Sequence, residues 1–197
     1  MKNLFQVVIV LALVIALAPA ASAQGKFAVS AGPEILLPTG NFHNSFTLGY
    51  GATARGQYNF SSQLSAGLDA GYFAFSAKSV AAGLTDPVFY AIPVRVFGKY
   101  YFMPEESSIR FYGMVQAGFW FWTNTVKTLA TVGPVGATLG SFVSTSKSNF
   151  NYVPMLGVEL PADNKVKLDV SLRYEGVATT GSKTSLFGGR LGVNFSL

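Results

Sequence analysis

Apolar and polar residues alternate along most of the chain with a period of two. Between Leu48 and Phe60 the even-numbered positions hold leucine, alanine, tyrosine, phenylalanine and one glycine, whereas the odd-numbered positions hold only glycine or polar residues. This period is typical of a β-strand with one apolar and one polar face. The pattern predicts eight strands, at residues 26–36, 47–60, 63–75, 89–102, 108–122, 149–160, 165–176 and 185–197.

The connections between the predicted strands alternate in length. Short polar turns follow the second, fourth and sixth strands, at residues 61–62, 103–107 and 161–164. Longer segments follow the first, third, fifth and seventh strands, at residues 37–46, 76–88, 123–148 and 178–184. In an antiparallel meander, this alternation places every short turn at one end of the sheet and every long loop at the other.

Two local features modify the strand pattern. Pro33, Pro93 and Pro154 fall inside predicted strands, and because proline cannot donate to a sheet ladder they predict bulges or strand ends. Strand-like sequence also continues on both sides of a central turn at residues 133–136. We therefore expect the fifth and sixth strands to extend as a hairpin that pairs with a partner's strand edge or adheres to a surface, with a disordered, surface-variable loop as the alternative.

The two faces of the predicted strands differ in charge. No charged residue interrupts the apolar face, and rows of apolar residues on all eight strands exceed what so small a barrel can enclose. The apolar face is therefore predicted to contact lipid and the other face to line the lumen. A secreted ligand-binding barrel with the faces reversed is the alternative. The predicted lumen charge network comprises Glu34, Arg55, Asp69, Arg95, Lys99, Arg110, Glu159, Lys167, Asp169, Arg173, Glu175 and Arg190.

Aromatic residues on the apolar face collect near both ends of the strands. Those toward the short turns are Phe27, Tyr58, Phe60, Tyr100, Phe102 and Phe195. Those toward the long loops are Tyr72, Tyr90, Phe121, Tyr152, Tyr174 and Phe187. Two such bands are typical of the two interfaces of an outer-membrane barrel, which also has short turns at one end. The predicted fold class is all-β, an eight-stranded antiparallel up-and-down transmembrane β-barrel.

The N-terminus and the composition agree with export to a membrane. Residues 1–23 combine Lys2, an apolar run over residues 7–17 and a small-residue cleavage pattern at residues 21–23, which predicts a cleaved signal peptide. The barrel domain is then residues 24–197. Only 12% of the residues are charged, against about 25% in an ordinary soluble domain. The absence of cysteine excludes disulfides and thiolate chemistry, and no clustered basic run supports a nucleic-acid partner.

Four segments of the chain resemble a known family. They are residues 37–42 (LPTGNF), 71–75 (GYFAF), 92–102 (IPVRVFGKYYF) and 172–174 (LRY). They are similar to segments of small outer-membrane β-barrel domain proteins of Bacteroidetes-type bacteria, which are structurally like the eight-stranded OmpA and OmpX barrels. The resemblance implies a Gram-negative outer-membrane location and insertion by the barrel-assembly machinery, which reads the last strand near Phe195.

Little in the sequence indicates catalysis. Bulky residues on the inward face predict a filled lumen without a large pore, because eight strands leave no room for a channel once they are packed. These residues are Phe73, Phe75, Phe97, Tyr101, Tyr112 and Trp120.

The single histidine, His43, falls in the first long segment, where Ser45, Ser76 and Asp86 could complete a catalytic group.

The sequence therefore predicts a monomeric, non-enzymatic outer-membrane barrel with a structural or surface-interaction role. No cofactor and no metal are expected. The predicted partners are outer-membrane lipids and lipopolysaccharide, with the barrel-assembly machinery during biogenesis. A lipid A-modifying or hydrophobic-ligand-handling barrel that uses His43 is the alternative function.

Overall fold

The chain forms a closed antiparallel barrel of eight strands, in which every strand pairs with its sequence neighbours. The computed structural model describes residues 26–78, 88–132, 137–163, 165–179 and 182–197, so the predicted signal peptide lies outside the described residues. The predicted fold class is confirmed. The elements are β1 (Phe27–Gly40), α1 (Asn41–Ser45), β2 (Phe46–Asn59), β3 (Leu64–Ala77), β4 (Val88–Tyr101), β5 (Arg110–Val132), β6 (Ala137–Pro161), β7 (Val166–Thr179) and β8 (Ser182–Ser196).

The barrel closes by pairing of the first and last strands. The β1–β8 ladder runs from the Ala28–Ser196 pair to the Gly40–Thr184 pair. Closure leaves no sheet edge in the wall of the barrel, so the backbone groups are paired with neighbouring strands, as a lipid environment requires. Of the described helices, none has the length and apolar character needed to cross a membrane. We call the end with the β2–β3, β4–β5 and β6–β7 turns the short-turn end, and the opposite end the long-loop end.

All four connections at the long-loop end are shorter than predicted, and the first and last show how. The first was expected to span residues 37–46, but β1 continues to Gly40 and α1 occupies the remainder. The last was expected to span residues 178–184, but β7 continues to Thr179 and β8 begins at Ser182. These strand ends lie within four residues of the predicted ones, and they extend further because cross-strand backbone pairing continues where the alternation of side chains has already faded.

The longest strands, β5 and β6, project beyond their neighbours. The last β4–β5 pair is Phe89 with Asn124, and the outermost β6–β7 pair is Asn151 with Val177. The β5–β6 ladder nevertheless continues to the pair of Val132 with Ala137. The predicted hairpin extension is confirmed, although its tip at residues 133–136 lies outside the described residues.

The three strand prolines cause neither bulges nor strand ends, so that prediction was wrong. Pro33, Pro93 and Pro154 each lie inside a strand and keep a partner in one neighbouring strand, for example Ala52 opposite Pro33. On the other side the ladder is interrupted at the proline and resumes in the same register, as between the Ala31–Val193 and Glu34–Arg190 pairs. The wall tolerates each proline because only one ladder loses a donor there.

The orientation of the two faces decides the class of barrel. Leu172, on the apolar face, is 71% exposed, whereas Arg173, the next residue, is 3% exposed. Leu48 and Leu68 are likewise exposed, and Arg55 and Arg95 are buried. Apolar side chains therefore cover the outer wall and charged side chains fill the interior. A secreted carrier with an apolar cavity requires the opposite arrangement.

Candidate functional site

The lumen gathers the charged residues that the sequence pattern placed on the inward face. All of the predicted charge network is buried except Lys167, whose side chain is 28% exposed. The strand register brings these residues together, since Arg55 lies opposite Asp69 and Asp69 opposite Arg95 on three consecutive strands. The charged residues thus form cross-strand rows rather than isolated sites.

The middle of the lumen is a chain of ion pairs. Asp69 accepts hydrogen bonds at Oδ2 from Arg55 Nε (2.7 Å), and its Oδ1 lies 3.2 Å from Arg95 Nε. Arg95 Nη1 lies 3.4 Å from Glu175 Oε1, whose other oxygen accepts from Arg173 at 2.9 Å. The chain ends where Arg173 Nη1 lies 2.6 Å from Glu34 Oε1. Charges withdrawn from water need such partners to remain ionised.

A second group of charges lies nearer the short-turn end. Lys99 contacts Glu159 directly, and the Tyr101 hydroxyl donates to the same carboxylate at 2.9 Å. Asp169 accepts from Arg190 Nη1 at 3.1 Å and from the Tyr112 hydroxyl at 2.9 Å. In the described part of the lumen, every carboxylate is therefore held by at least one cation.

An aromatic cluster closes the lumen at the long-loop end. The ring of Phe42, on α1, lies 5.4 Å from Phe75 and 5.7 Å from Phe89 between ring centroids. Phe75 in turn lies 5.9 Å from Trp120, and both are buried. We call this cluster the aromatic plug, and its members are Phe42, Phe46, Phe75, Phe89, Trp120 and Trp122. The lumen is therefore apolar at the long-loop end and charged below it.

His43 lies on α1 outside the plug and is exposed to solvent. Its Nε2 is 3.1 Å from Lys78 Nζ. Ser45 and Ser76 are also exposed, and Asp86 lies outside the described residues. Within the described part of the chain no hydrogen bond joins His43 to a serine or a carboxylate, and no group of histidine, aspartate and glutamate side chains could hold a metal ion. The residues proposed for a catalytic group are not brought together there.

The outer wall carries an apolar groove of about 1120 Å³. It crosses the strands from β3 to β8 and reaches β1, and it includes the glycines Gly98, Gly113 and Gly189. A Cβ atom built on Gly98 meets nothing within 4 Å, so the groove is open at this point. The groove faces the region that the lipid tails occupy.

Sequence patterns did not single out several residues that the lumen uses. Asn151 donates to Glu175, and Asn194 donates to Glu159 at 3.1 Å. Both lie on the inward face by strand parity, so the period of two could have identified them. Phe42 was expected in a loop, and no sequence signal marks it as part of the plug because its contacts come from strands distant in sequence.

Comparison with known proteins places the chain among membrane barrels. The family model described as "Outer membrane protein beta-barrel domain" matches residues 7–195. No curated protein sequence matches the chain. Because the similar structures below share little sequence with the chain, they establish similarity of fold alone.

Three solved structures illustrate that similarity. Neisserial surface protein A (NspA) has a TM-score of 0.57 and 17% identity, covering 87% of this chain and 97% of its own. Ail of Yersinia pestis, in complex with the heparin analogue sucrose octasulfate, has a TM-score of 0.54 and 14% identity, covering 87% and 99%. OprG of Pseudomonas aeruginosa has a TM-score of 0.52 and 12% identity, covering 88% and 96%. The resemblance to Bacteroidetes-type proteins stays a prediction.

Proposed function

Because this chain belongs to the outer membrane protein beta-barrel domain family, we propose that it is a monomeric, non-enzymatic barrel that binds partners at the cell surface through its β5–β6 hairpin. In bacterial barrels the short turns face the periplasm and the longer loops face outward. The long-loop end is then the extracellular end. Outer-membrane lipids, lipopolysaccharide and the barrel-assembly machinery are the partners that this location supplies.

The observation that carries the proposal is that the described residues give the projecting hairpin no ladder partner on either outer side. Beyond Asn124, β5 has no described ladder partner in β4, and before Asn151, β6 has no described ladder partner in β7, where only the Asn149 side chain reaches the Ala178 carbonyl oxygen. An exposed strand edge presents a row of free N–H and C=O groups, onto which another extended segment can add. A purely structural barrel has no need of such a ribbon.

The chemistry of the extracellular segments favours an anionic partner. Their charged residues are Lys78, Asp86, Lys127, Lys147 and Lys183. Cations therefore outnumber the single carboxylate, and Lys147 is exposed at the base of the hairpin. A surface with one prevailing sign of charge attracts polyanions such as sulfated or phosphorylated glycans. The Ail structure holds a polyanion of this kind, a heparin analogue.

The test is adherence of whole cells to a heparin-coated surface. Residues 125–144 are replaced by Asn-Gly, which forms a two-residue turn between the paired residues Asn124 and Thr145. A charge-only variant, K127Q with K147Q, keeps the hairpin backbone. We expect the shortened variant to lose adherence and the charge variant to lose it in part, with weaker adherence at high salt.

A heat-modifiability gel provides the control for folding, since a closed barrel migrates differently before and after boiling. If the shortened variant folds and adheres as well as the unaltered chain, the hairpin is not the binding element. If the charge variant alone abolishes adherence, charge rather than the strand edge provides the recognition.

The packing of the lumen favours a barrel that does not conduct ions. The aromatic plug closes the long-loop end, and the paired charges fill the middle. We expect planar-bilayer recordings to show no large, stable conductance. Such a conductance would contradict the filled lumen.

The groove on the outer wall favours one second candidate, a barrel that handles hydrophobic ligands. Its volume of about 1120 Å³ and apolar lining suit an acyl chain. A Cβ atom added at Gly98 meets no neighbour within 4 Å, so Gly98→Phe introduces a ring from an unhindered position in the groove, and loss of co-purifying lipid in native mass spectrometry would favour this candidate. For the lipid A-modifying version, His43→Ala should change the membrane's lipid A pattern, whereas the non-enzymatic proposal expects no change.

A further inference from the structure

The short-turn end of the lumen opens into a polar pocket of about 270 Å³. We call this pocket the periplasmic mouth. It lies at the opposite end from the hairpin, so nothing in the surface role proposed above uses it. The side chains that matter to the argument are Lys26, Tyr101, Arg110, Glu159, Lys167 and Asn194.

Cations surround the periplasmic mouth from three directions. Lys26 directly precedes β1, Arg110 begins β5 and Lys167 lies at the start of β7. Since the strands form a closed ring of eight, β1 and β5 lie on opposite sides of the mouth. An anion that enters the pocket therefore meets positive charge on both sides.

Of the three cations, only Lys167 has a carboxylate partner among the described residues. Glu159 is already in contact with Lys99 and accepts a hydrogen bond from Tyr101, while its Oε2 is 3.9 Å from Lys167 Nζ. Glu105 is exposed on the β4–β5 turn. Neither Arg110 nor Lys26 has an ion-pair partner within 4.0 Å among the described residues. The lining carries three cations and two carboxylates, and the Lys99 beneath it adds a further positive charge.

Arg110 is held in place but has donor capacity to spare. Its guanidinium carbon lies 3.8 Å from the centre of the Tyr101 ring, and one terminal nitrogen donates to the carbonyl oxygen of Ser62. Its Nε has no hydrogen-bond partner, although Arg110 is only 6% exposed. A fixed guanidinium with an unused N–H is suited to a carboxylate.

The far side of the mouth, on β8, has an acceptor without a donor. Oδ1 of Asn194 has no hydrogen-bond partner, and Asn194 is 5% exposed. Buried polar groups without partners destabilise a fold, so such groups ordinarily have a partner supplied by water or a ligand. Because both residues line the same small pocket, a single ligand that satisfies Arg110 and Asn194 must carry both a negatively charged acceptor and an N–H donor.

We propose that the periplasmic mouth binds the terminal carboxylate of a peptide, with the carboxylate directed at Arg110 and the adjoining backbone N–H directed at Asn194. A volume of 270 Å³ corresponds to about nine water molecules in the liquid, enough for one small terminal residue. The rest of the peptide extends into the periplasm, which carries many carboxylate-bearing peptides in its cell-wall layer. The mouth thus anchors the barrel to material beneath the membrane.

The test is a titration followed by nuclear magnetic resonance of the whole protein in micelles. The signals observed are the Asn194 side-chain amide and the Arg110 Nε–H, which report on the pocket directly. The ligands are N-acetyl-Ala-Ala, its C-terminal amide, and acetate. We expect saturable shifts with the free peptide in the millimolar range, and at least tenfold weaker binding for the amide and for acetate.

The variants separate recognition from general charge and from folding. Arg110→Gln should weaken binding of the free peptide about tenfold or more, and Lys167→Gln, whose side chain is partly exposed, several-fold. Lys165→Gln removes the same charge from an exposed position next to the mouth and should leave binding unchanged. Lys167→Gln keeps the test valid if Arg110→Gln does not fold.

Three results would overturn the inference. Absence of saturable shifts up to tens of millimolar peptide shows that the mouth is not a site. Equal binding of acetate and peptide shows a general anion site without recognition of the peptide N–H. Equal loss in Lys165→Gln and Lys167→Gln shows attraction by overall charge. None of these results bears on adherence through the hairpin, so the two proposals can fail separately.

Discussion

The ion pairs around Asp69 offer the sharpest test of how the barrel interior is stabilised. The side chains of Asp69 and Arg95 are 0% exposed and that of Arg55 is 4% exposed. In Asp69→Asn the shape is retained, but one acceptor oxygen becomes an NH₂ group that faces an arginine N–H. Two buried guanidinium groups then lose their shared counter-charge.

The expected decrease in the free energy of unfolding follows from this geometry. Removing one partner of a buried ion pair costs about 3–5 kcal/mol, because the remaining charge stays buried without compensation. That corresponds to about 100- to 5,000-fold in the folding equilibrium, at about 1.4 kcal/mol for each factor of ten. With a denaturant slope of about 1–3 kcal/mol per molar urea, the unfolding midpoint should fall by about 1–5 M.

The assay is urea titration of the barrel in lipid vesicles, followed by tryptophan fluorescence and by heat-modifiability. Trp120 lies in the lumen and reports on its packing. The matched control is Glu106→Gln, which removes one carboxylate from an exposed turn and should leave the midpoint unchanged. A second variant, Asp69→Asn with Arg55→Met, also removes one of the two arginine charges left without a counter-charge. It should recover part of the lost unfolding free energy.

A loss below about 1 kcal/mol in Asp69→Asn would refute the reasoning, since net values that small are typical of ion pairs screened by water. The lumen would then be hydrated, and the burial of Asp69 and its arginines would not measure their isolation from solvent. Failure of the double variant to recover any stability would refute the assignment of the loss to Arg55.

Other positions test packing. A Cβ atom on Gly32 would lie 2.1 Å from the backbone oxygen of Leu191, so Gly32→Ala should destabilise the barrel by about 1–3 kcal/mol in the same urea titration. Gly98→Ala makes the same chemical change in open space and should cost little, and equal effects of the two would contradict the close approach. Phe75→Ala removes a buried ring from the aromatic plug and should cost about 3–5 kcal/mol; an unchanged midpoint would show that the plug contributes no stability. We also expect the Phe75→Ala barrel to bind a small fluorescent hydrophobic dye that the unaltered barrel excludes, and equal dye binding would show that the plug does not seal the lumen.

The period of two in the sequence determined the architecture. Whether a residue such as Leu172 or Arg173 points outward or inward depends only on strand parity, which is local, so the two faces could be assigned without knowing any pairing. The number of strands followed from the turns, and the extension of β5 and β6 followed from strand-like sequence on both sides of residues 133–136. The same parity placed the charged residues in the lumen.

The tertiary structure decided how those residues combine. Lys99 and Glu159 are 60 residues apart, and Arg190 reaches Thr53 across a separation of 137. Such contacts depend on the register and stagger of all eight strands, which no local pattern encodes. The tertiary structure likewise decided that β1 continues through Pro33 and that Phe42 packs into the aromatic plug. In both cases contacts with neighbouring strands outweigh local preference. The sequence therefore determined which side chains face lipid and which face inward, and the closed sheet determined which of the inward ones meet.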